Sequence, residues 1–157
     1  MSEDARFEDG GESPLNLGAM DAEDLTVLSA LAQDAVFPVT DMLWRPRERR
    51  FALLLNRFRW EDSDRDRHGA ERVRAVLVAD NVLSVASQGI DRSDKGTILS
   101  LLSVSFEPGD EAPGGQVVLT LAGDGAIRLE VEALELRLRD VTRPYVAPSG
   151  KVPGHRD

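Results

Sequence analysis

Residues 51–60, FALLLNRFRW, are the most strongly patterned stretch of the chain, and most of the positive charge lies around them. The first five residues are all apolar, which is typical of a strand that is covered on both faces. From Leu54 onward apolar and polar residues alternate, and side chains two positions apart on a strand lie on the same side of the sheet. The pattern therefore predicts a central strand whose outer face presents Arg57 and Arg59. The side chains predicted to share the opposite, core-facing side are Leu54, Asn56, Phe58 and Trp60.

One amphipathic helix is predicted ahead of this strand, over residues 22–34. Asp21 is a favourable N-cap, and two acids follow in the first turn, where the helix dipole stabilises negative charge. Pro38 ends the pattern, because proline cannot continue a helix. The apolar residues that recur at three- and four-residue spacing are Leu25, Leu28, Leu31, Ala32 and Ala35.

The other patterned segments indicate strands joined by turns rich in glycine, proline and aspartate. Pro38 places the segment 36–44 at a sheet edge or a bulge. The break in the pattern at residues 80–81 is either a turn or a bend. The clearest hairpin surrounds residues 123–125, GDG, which tolerate a positive φ. The predicted strand segments are 15–17, 36–44, 73–79, 82–87, 97–106, 116–122 and 126–131, with Ile98, Leu102, Val104 and Phe106 on one face of the segment 97–106.

The last patterned segment allows two interpretations. A bulged strand accommodates all three of Leu134, Leu136 and Leu138. A short helix accommodates only Leu134, Leu138 and Val141. The pattern favours the strand.

The predicted fold is therefore α+β, mostly antiparallel, with one N-terminal helix packed on a curved sheet or a small open barrel of about seven strands. If the chain ends in a helix, the predicted fold is analogous to a pleckstrin-homology-like barrel. We expect residues 1–14 to be a disordered acidic tail, 15–146 a single globular domain and 147–157 a flexible tail.

The net charge of −9 is unevenly distributed. Residues 44–74 contain ten arginines and six acids, a net charge of +4, whereas the rest of the chain contains nine basic and 22 acidic residues, a net charge of −13. A chain this acidic is a poor nucleic-acid binder, because phosphate contacts need cations over a whole surface. The local arginine excess favours a small anionic ligand or an acidic protein partner.

Several classes of site are not expected. The chain has no cysteine, and its two histidines, His68 and His155, lie in a charged loop and in the C-terminal tail, so no metal site, cofactor site or catalytic triad is predicted. The acidic N-terminus lacks the apolar core of a signal peptide, and no run is long enough to span a membrane, so we expect a cytoplasmic protein. Three closely spaced carboxylates, Glu130, Glu132 and Glu135, are interpreted as a solvated strand face opposite Arg128, Arg137 and Arg139, because charges alternate there with apolar residues.

The arginines around the central strand form the one candidate site. Arg57 and Arg59 would lie about 7 Å apart on one strand face, close enough to share an anion. The alternative is internal pairing with Asp41, Glu61 or the acids of residues 62–66. Asn56 either belongs to the site or anchors a neighbouring loop, because a buried amide needs hydrogen-bond partners. The residues predicted to bind a ligand are Asn56, Arg57, Arg59, Arg49 and Arg50, with no catalytic residue among them.

Residues 15–146 also resemble a known family. The features that carry the resemblance are the helix segment DAEDLTVLSALAQDAV, then RRFALLLNRFRWE, SVSFEPG and GAIRLEVEALELRLRDV. The match is most specific at residues 33–35, 50–51, 56–58, 60–61 and 127–129. The chain is similar to the bacterial family called domain of unknown function 2948, and this resemblance implies a bacterial, cytoplasmic protein without implying a chemistry.

Two functions are therefore expected as alternatives. The first is a non-catalytic binding or adaptor domain whose arginine-rich hairpin contacts an acidic protein partner. The second is an enzyme or sensor that binds a phosphate- or carboxylate-bearing metabolite through Arg57 and Arg59. The sequence leaves the oligomeric state open.

Overall fold

The computed structural model describes residues 13–62 and 70–146, which form one helix and eleven strands. The helix, α1, spans Ala22–Ala32, and a 3-10 turn spans Val39–Asp41. The strands are β1 (Asn16–Ala19), β2 (Val36–Pro38), β3 (Met42–Arg45), β4 (Arg50–Phe58), β5 (Glu71–Ala79), β6 (Val82–Gln88), β7 (Ile98–Pro108), β8 (Gly115–Leu121), β9 (Ala126–Val131), β10 (Leu136–Asp140) and β11 (Tyr145–Val146).

The helix begins where the sequence predicts and ends two residues earlier. The side chain of Asp21 accepts a hydrogen bond from the amide of Asp24 at 2.8 Å, which confirms it as the N-cap. At the other end Asp34 has a φ of 64°, and its amide donates to the carbonyl of Leu101 at 2.7 Å. The chain therefore leaves the helix at Ala32 and joins the sheet beside β7.

The strands form one antiparallel sheet that does not close. The order is β1-β10-β5-β4-β2-β7-β8-β9-β6, with β11 beside β5 and β3 beside β4. The predicted mostly antiparallel sheet with one N-terminal helix is confirmed, but the predicted count of about seven strands is wrong. Four of the eleven strands contain only two to four residues, too few to show a clear alternation.

Two uncertain segments are settled by the strand pairing. The break after β5 is a bend, because β5 pairs with β4 and β10 whereas β6 pairs with β9, and Asn81 adopts a φ of 62° between them. The segment with three leucines contains the strand β10, and Leu134, Leu136 and Leu138 are all buried, so the helical alternative is wrong. The predicted tails lie outside the described residues apart from positions 13 and 14.

The core lies on the inner side of the sheet, under α1. Leu25 and Leu28 of the helix share one buried cluster with Leu53, Leu77 and Leu138 of the central strands. On β7 the buried side chains are Leu99, Leu101 and Val104, because the register shifts between Leu101 and Ser103. The predicted face of this strand is therefore wrong at its start, where Ile98 is 62% exposed.

Candidate functional site

Over residues 51–57 the faces of β4 are the reverse of the prediction, whereas Phe58 is buried as predicted. Phe51, Leu53 and Leu55 point into the core, and Arg57 continues the same inward-facing series with an exposed fraction of 0%. The expectation that Arg57 and Arg59 point outward is therefore wrong. Residues 51–55 are apolar on both faces, so the pattern did not show which face is inner, and a shift of one residue exchanges the faces.

Arg57 lies in a buried ion-pair network in which it uses its full hydrogen-bonding capacity. Its Nε and Nη2 donate to the two carboxylate oxygens of Asp140, each at 3.0 Å. Nη1 and Nη2 donate to the two oxygens of Glu61 at 2.9 and 2.7 Å, and Nη1 also donates to the carbonyl of Phe58 at 3.3 Å. A guanidinium has five N–H donors, so Arg57 has none left for a ligand.

Arg59 follows Arg57 into the interior and is only 1% exposed. Its Nη1 donates to Glu71 and lies 3.9 Å from Asp62, and its Nε lies 3.9 Å from Glu61. Among the described residues its Nε and Nη2 have no hydrogen-bond partner. The buried network of Arg57, Arg59, Glu61, Asp62, Glu71 and Asp140 contains two cations and four carboxylates.

The pKa shifts in this network show strong internal pairing. Burial alone would lower the pKa of Arg57, but its hydrogen bonds to Glu61 and Asp140 outweigh burial and raise it. Burial would likewise raise the pKa of Glu61, but the hydrogen bonds and charge of Arg57 hold it below its usual value. Each partner therefore stabilises the charged form of the other.

The predicted internal pairing of these arginines is confirmed for Glu61. The ion pairs of the described residues also include Asp62, the first acid of the charged loop, whereas Asp41 makes none with either arginine. The remaining acids of that loop and His68 lie outside the described residues, as does His155. Asp140 was not predicted as a partner, because it is 83 residues away from Arg57 in sequence.

Arg49 and Arg50 lie at the opposite end of β4 from this network. Arg57 lies seven positions along the strand from Arg50, roughly 23 Å at the usual rise per residue. Arg49 pairs with Glu132, and the Nε of Arg50 lies 2.8 Å from Asp80, which raises the pKa of Arg50. The structure therefore does not bring the five predicted ligand-binding residues together.

Asn56 lies on the outer face of β4. Its side-chain oxygen accepts from the Nε of Arg72, and its backbone carbonyl accepts from Nη2 of Arg72 at 3.0 Å. Its amide group donates to the hydroxyl of Tyr145 on β11. Asn56 thus ties together three strands and holds Arg72 in place.

Arg72 belongs to a group of four arginines on the outer side of the sheet, which we call the arginine face: Arg72 and Arg74 on β5, and Arg137 and Arg139 on β10. Arg139 lies opposite Val76 and Arg137 opposite Val78, so the side chains of both strands share this side. The sequence signal was present, because arginine alternates with apolar residues in both segments. The group was not predicted, because only the pairing of β10 with β5 brings these arginines together.

The arginine face borders an apolar strip formed by outward-facing side chains of β3, β4 and β5. Its members are Leu43, Ala52, Leu54, Val76 and Val78. These residues are exposed or half-buried, and none belongs to the buried core cluster. A shallow groove of about 350 Å³ runs over Leu43, Leu54 and Val76.

The four arginines of this face have no carboxylate within 4.0 Å in the part of the chain that the structure describes. Two of the four donate to neutral side-chain amides: Arg137 donates to Asn16 at 2.8 Å, and Arg72 donates to Asn56. Burial lowers the pKa of Arg72, which shows that its charge is incompletely compensated by its neighbours, although Tyr145 and Asp34 oppose this effect. The face therefore presents four arginine charges, none of which has a carboxylate within 4.0 Å among residues 13–62 and 70–146.

The three carboxylates at positions 130, 132 and 135 are exposed, as the solvated-face interpretation predicts. Their partners differ from the expected arginines: Glu130 contacts Ser84, Glu132 pairs with Arg49 and Glu135 accepts from Asn81. No group of three or more histidines and carboxylates is placed to hold a metal ion within residues 13–62 and 70–146.

Comparison with family models gives the relationship of the chain to known sequences. The model described as protein of unknown function, DUF2948, matches residues 15–155. The chain belongs to this family.

The resemblance predicted from the sequence is thus confirmed. The DUF2948 match contains all eleven strands, the helix, the buried network and the arginine face. A search of curated proteins and a search of solved structures each found no match. No helix among the described residues of this DUF2948 protein is long and apolar enough to cross a membrane.

Proposed function

We propose that this DUF2948 protein is a non-catalytic binding domain whose arginine face docks an acidic partner protein. The observation that carries the proposal is the set Arg72, Arg74, Arg137 and Arg139, which share one side of the sheet without a nearby carboxylate among the described residues. Unbalanced cations attract an oppositely charged surface and orient it during encounter.

The apolar strip beside the arginines favours a protein partner over a small ion. Protein interfaces combine a desolvated apolar centre with a polar rim, and arginine is enriched in them. Leu54 and Val76 would form the centre, while the arginines would form the rim. The groove of about 350 Å³ offers space for an apolar side chain of the partner.

The charge of the whole chain favours protein over nucleic acid. The net charge is −9, so a phosphate backbone that extends beyond the arginine face would meet acidic surface. A partner segment that combines acidic residues with one or two apolar anchors is complementary to the arginine face and the apolar strip. It can be short enough to contact only this surface.

A second possibility, that the acidic partner binds the arginines of the β3–β4 hairpin, stays a prediction. The structure supports it less, because three of the four exposed hairpin arginines have a carboxylate partner, and only Arg47 has none within 4.0 Å among the described residues. The pairs are Arg45 with Glu48, Arg49 with Glu132 and Arg50 with Asp80. The pairs leave less uncompensated charge at the hairpin than on the arginine face.

Binding of a small anionic metabolite through Arg57 and Arg59 also stays a prediction. In its favour, Nε and Nη2 of Arg59 make no hydrogen bond to the described residues. Against it, all five N–H donors of Arg57 already donate to protein groups. The four carboxylates around the two cations also make the network unfavourable for a further anion.

Position-specific photo-crosslinking in the native host tests the docking proposal. A benzoylphenylalanine in place of Leu54 probes the apolar strip, and one in place of Arg47 probes the hairpin. We expect an adduct with an acidic protein from the Leu54 position, and its loss when Arg74→Glu and Arg139→Glu are added. Unchanged thermal melts of the charge-reversed protein serve as the folding control.

Two outcomes would contradict the proposal. An adduct from the Arg47 position alone would favour binding at the hairpin. An adduct from the Leu54 position that survives both charge reversals would show that the arginines do not select the partner.

A further inference from the structure

A second, separate feature of the molecule is the seam where the sheet fails to close. β6 is at the end of the strand order, and β3 pairs only with β4 in the described part of the chain, so each has a free edge. The seam is fastened at one end by the amide of Val82, which donates to the carbonyl of Arg49 at 2.9 Å. Beyond that bond a cavity of about 100 Å³ lies between the two strands.

The lining of this cavity is divided between an apolar interior and a polar rim. Phe51 and Ile127 are buried at its base, and Met42, Trp44 and Val85 are half-buried along its walls. The two polar residues of the lining are Ser87 and Arg92, and both are exposed. Ligand sites in proteins have this composition, a mostly apolar cavity with a few polar groups that fix orientation.

Arg92 gives the rim a positive charge that the described residues do not neutralise. It forms no ion pair within 4.0 Å with any carboxylate in residues 13–62 or 70–146. A guanidinium presents paired N–H donors that match the two oxygens of a carboxylate. An apolar group in the cavity would therefore be best attached to a carboxylate at the rim.

The cavity volume limits the size of the apolar group. An apolar cavity of about 150 Å³ binds benzene, so about 100 Å³ accommodates an aliphatic group of roughly four carbons. We propose that the seam between β3 and β6 binds a short branched carboxylate, with the branched end against Phe51 and Ile127 and the carboxylate on Arg92. This site is independent of the arginine face and of the buried network.

The proposal is tested by NMR titration of the full chain with 3-methylbutanoate. Because a ligand this small binds weakly, we expect saturable binding with a dissociation constant of about 1–10 mM. The indole N–H signal of Trp44 and the amide signals of Val85 and Ser87 should shift, while the indole of Trp60, outside the cavity lining, should not.

Matched probes and variants separate the two halves of the site. Acetate supplies the carboxylate without the branched group, and 3-methylbutanamide supplies the branched group without the charge. The dissociation constant of each, read from the Trp44 signal, should be at least tenfold higher than that of 3-methylbutanoate. Arg92→Gln should weaken 3-methylbutanoate binding by about tenfold or more, because it removes a charge-assisted hydrogen bond, whereas the control Lys95→Gln on the same loop should not.

Three results would overturn the proposal. The first is an unchanged Trp44 signal in the presence of excess 3-methylbutanoate. The second is an equal response to acetate, which would indicate a nonspecific anion effect. The third is an Arg92→Gln variant that binds as tightly as the wild type.

Discussion

Arg57 shows how one residue can change role when its side of the strand changes. On the outer face it would be a ligand contact, but on the inner face it neutralises the buried Asp140 and the more exposed Glu61. The alternation of residues 54–57 was correctly detected but assigned to the wrong faces, and it ends at the close of β4, where Arg57, Phe58 and Arg59 are all buried. Sequence periodicity shows which side chains share a face, and it shows the inner face only where one set is clearly polar.

Removing Arg57 should destabilise the protein strongly. Arg57→Ala leaves the buried Asp140 without its cation, and breaking a buried pair in this way costs about 3–5 kcal/mol. Arg50→Ala removes an exposed pair with Asp80 on the same strand and should cost within about 1 kcal/mol. Urea denaturation of both variants measures the difference. Equal, small losses would show that Asp140 is hydrated in the folded protein.

Glu61 should make the stability of the protein sensitive to acid. Its pKa is lower in the folded state than the usual 4.5, so its contribution is fully present above about pH 4.5 and is lost as the pH falls through the folded-state value. Glu61→Gln should therefore reduce stability at neutral pH and flatten its fall as the pH decreases below about 4.5. Urea midpoints measured across this range test the prediction, and parallel curves for the two proteins would contradict it.

At the scale of elements, the long segments were predictable and the pairing was not. The helix start at Asp21 and the hairpin of β8 and β9 around residues 123–125 follow directly from capping and turn chemistry. The pairing of β10 with β5, which places Arg137 and Arg139 beside Val76 and Val78, depends on contacts about 60 residues apart. For this reason the sequence showed the arginines individually and did not show the face that they form.

Gly115 at the start of β8 should be required for the pairing with β7. A Cβ at this position would overlap the backbone carbonyl of Glu107 and lie 2.7 Å from the ring of Phe106. Gly115→Ala should therefore cost about 1–3 kcal/mol through overpacking.

Gly18→Ala on β1 is the matched control for Gly115→Ala. A Cβ at position 18 would make only an ordinary 3.5 Å contact with Arg137, so the change should be within about 0.5 kcal/mol. Both variants are compared by chemical denaturation. Equal stability of the two would show that the strands move apart easily.

At the scale of the whole molecule, positive charge and apolar surface meet on one side of an otherwise acidic protein. The buried network contains Arg57 and Arg59, two of the four arginines predicted to bind a ligand, while the arginine face contains four that were not predicted. The first group forms ion pairs at one end of β4, and the second is the group that we propose binds a partner. The central claim is that this second group, rather than the hairpin or the buried pair, recognises acidic protein surfaces.

An NMR titration with two synthetic peptides tests this claim most directly. One peptide alternates glutamate with leucine, and the other replaces every glutamate with glutamine. We expect the acidic peptide to shift the amide signals of Arg74, Val76 and Arg139. Added salt should weaken the effect, and Arg74→Glu with Arg139→Glu should abolish it. Equal shifts with the glutamine peptide, or shifts confined to the hairpin around Arg47, would contradict the account.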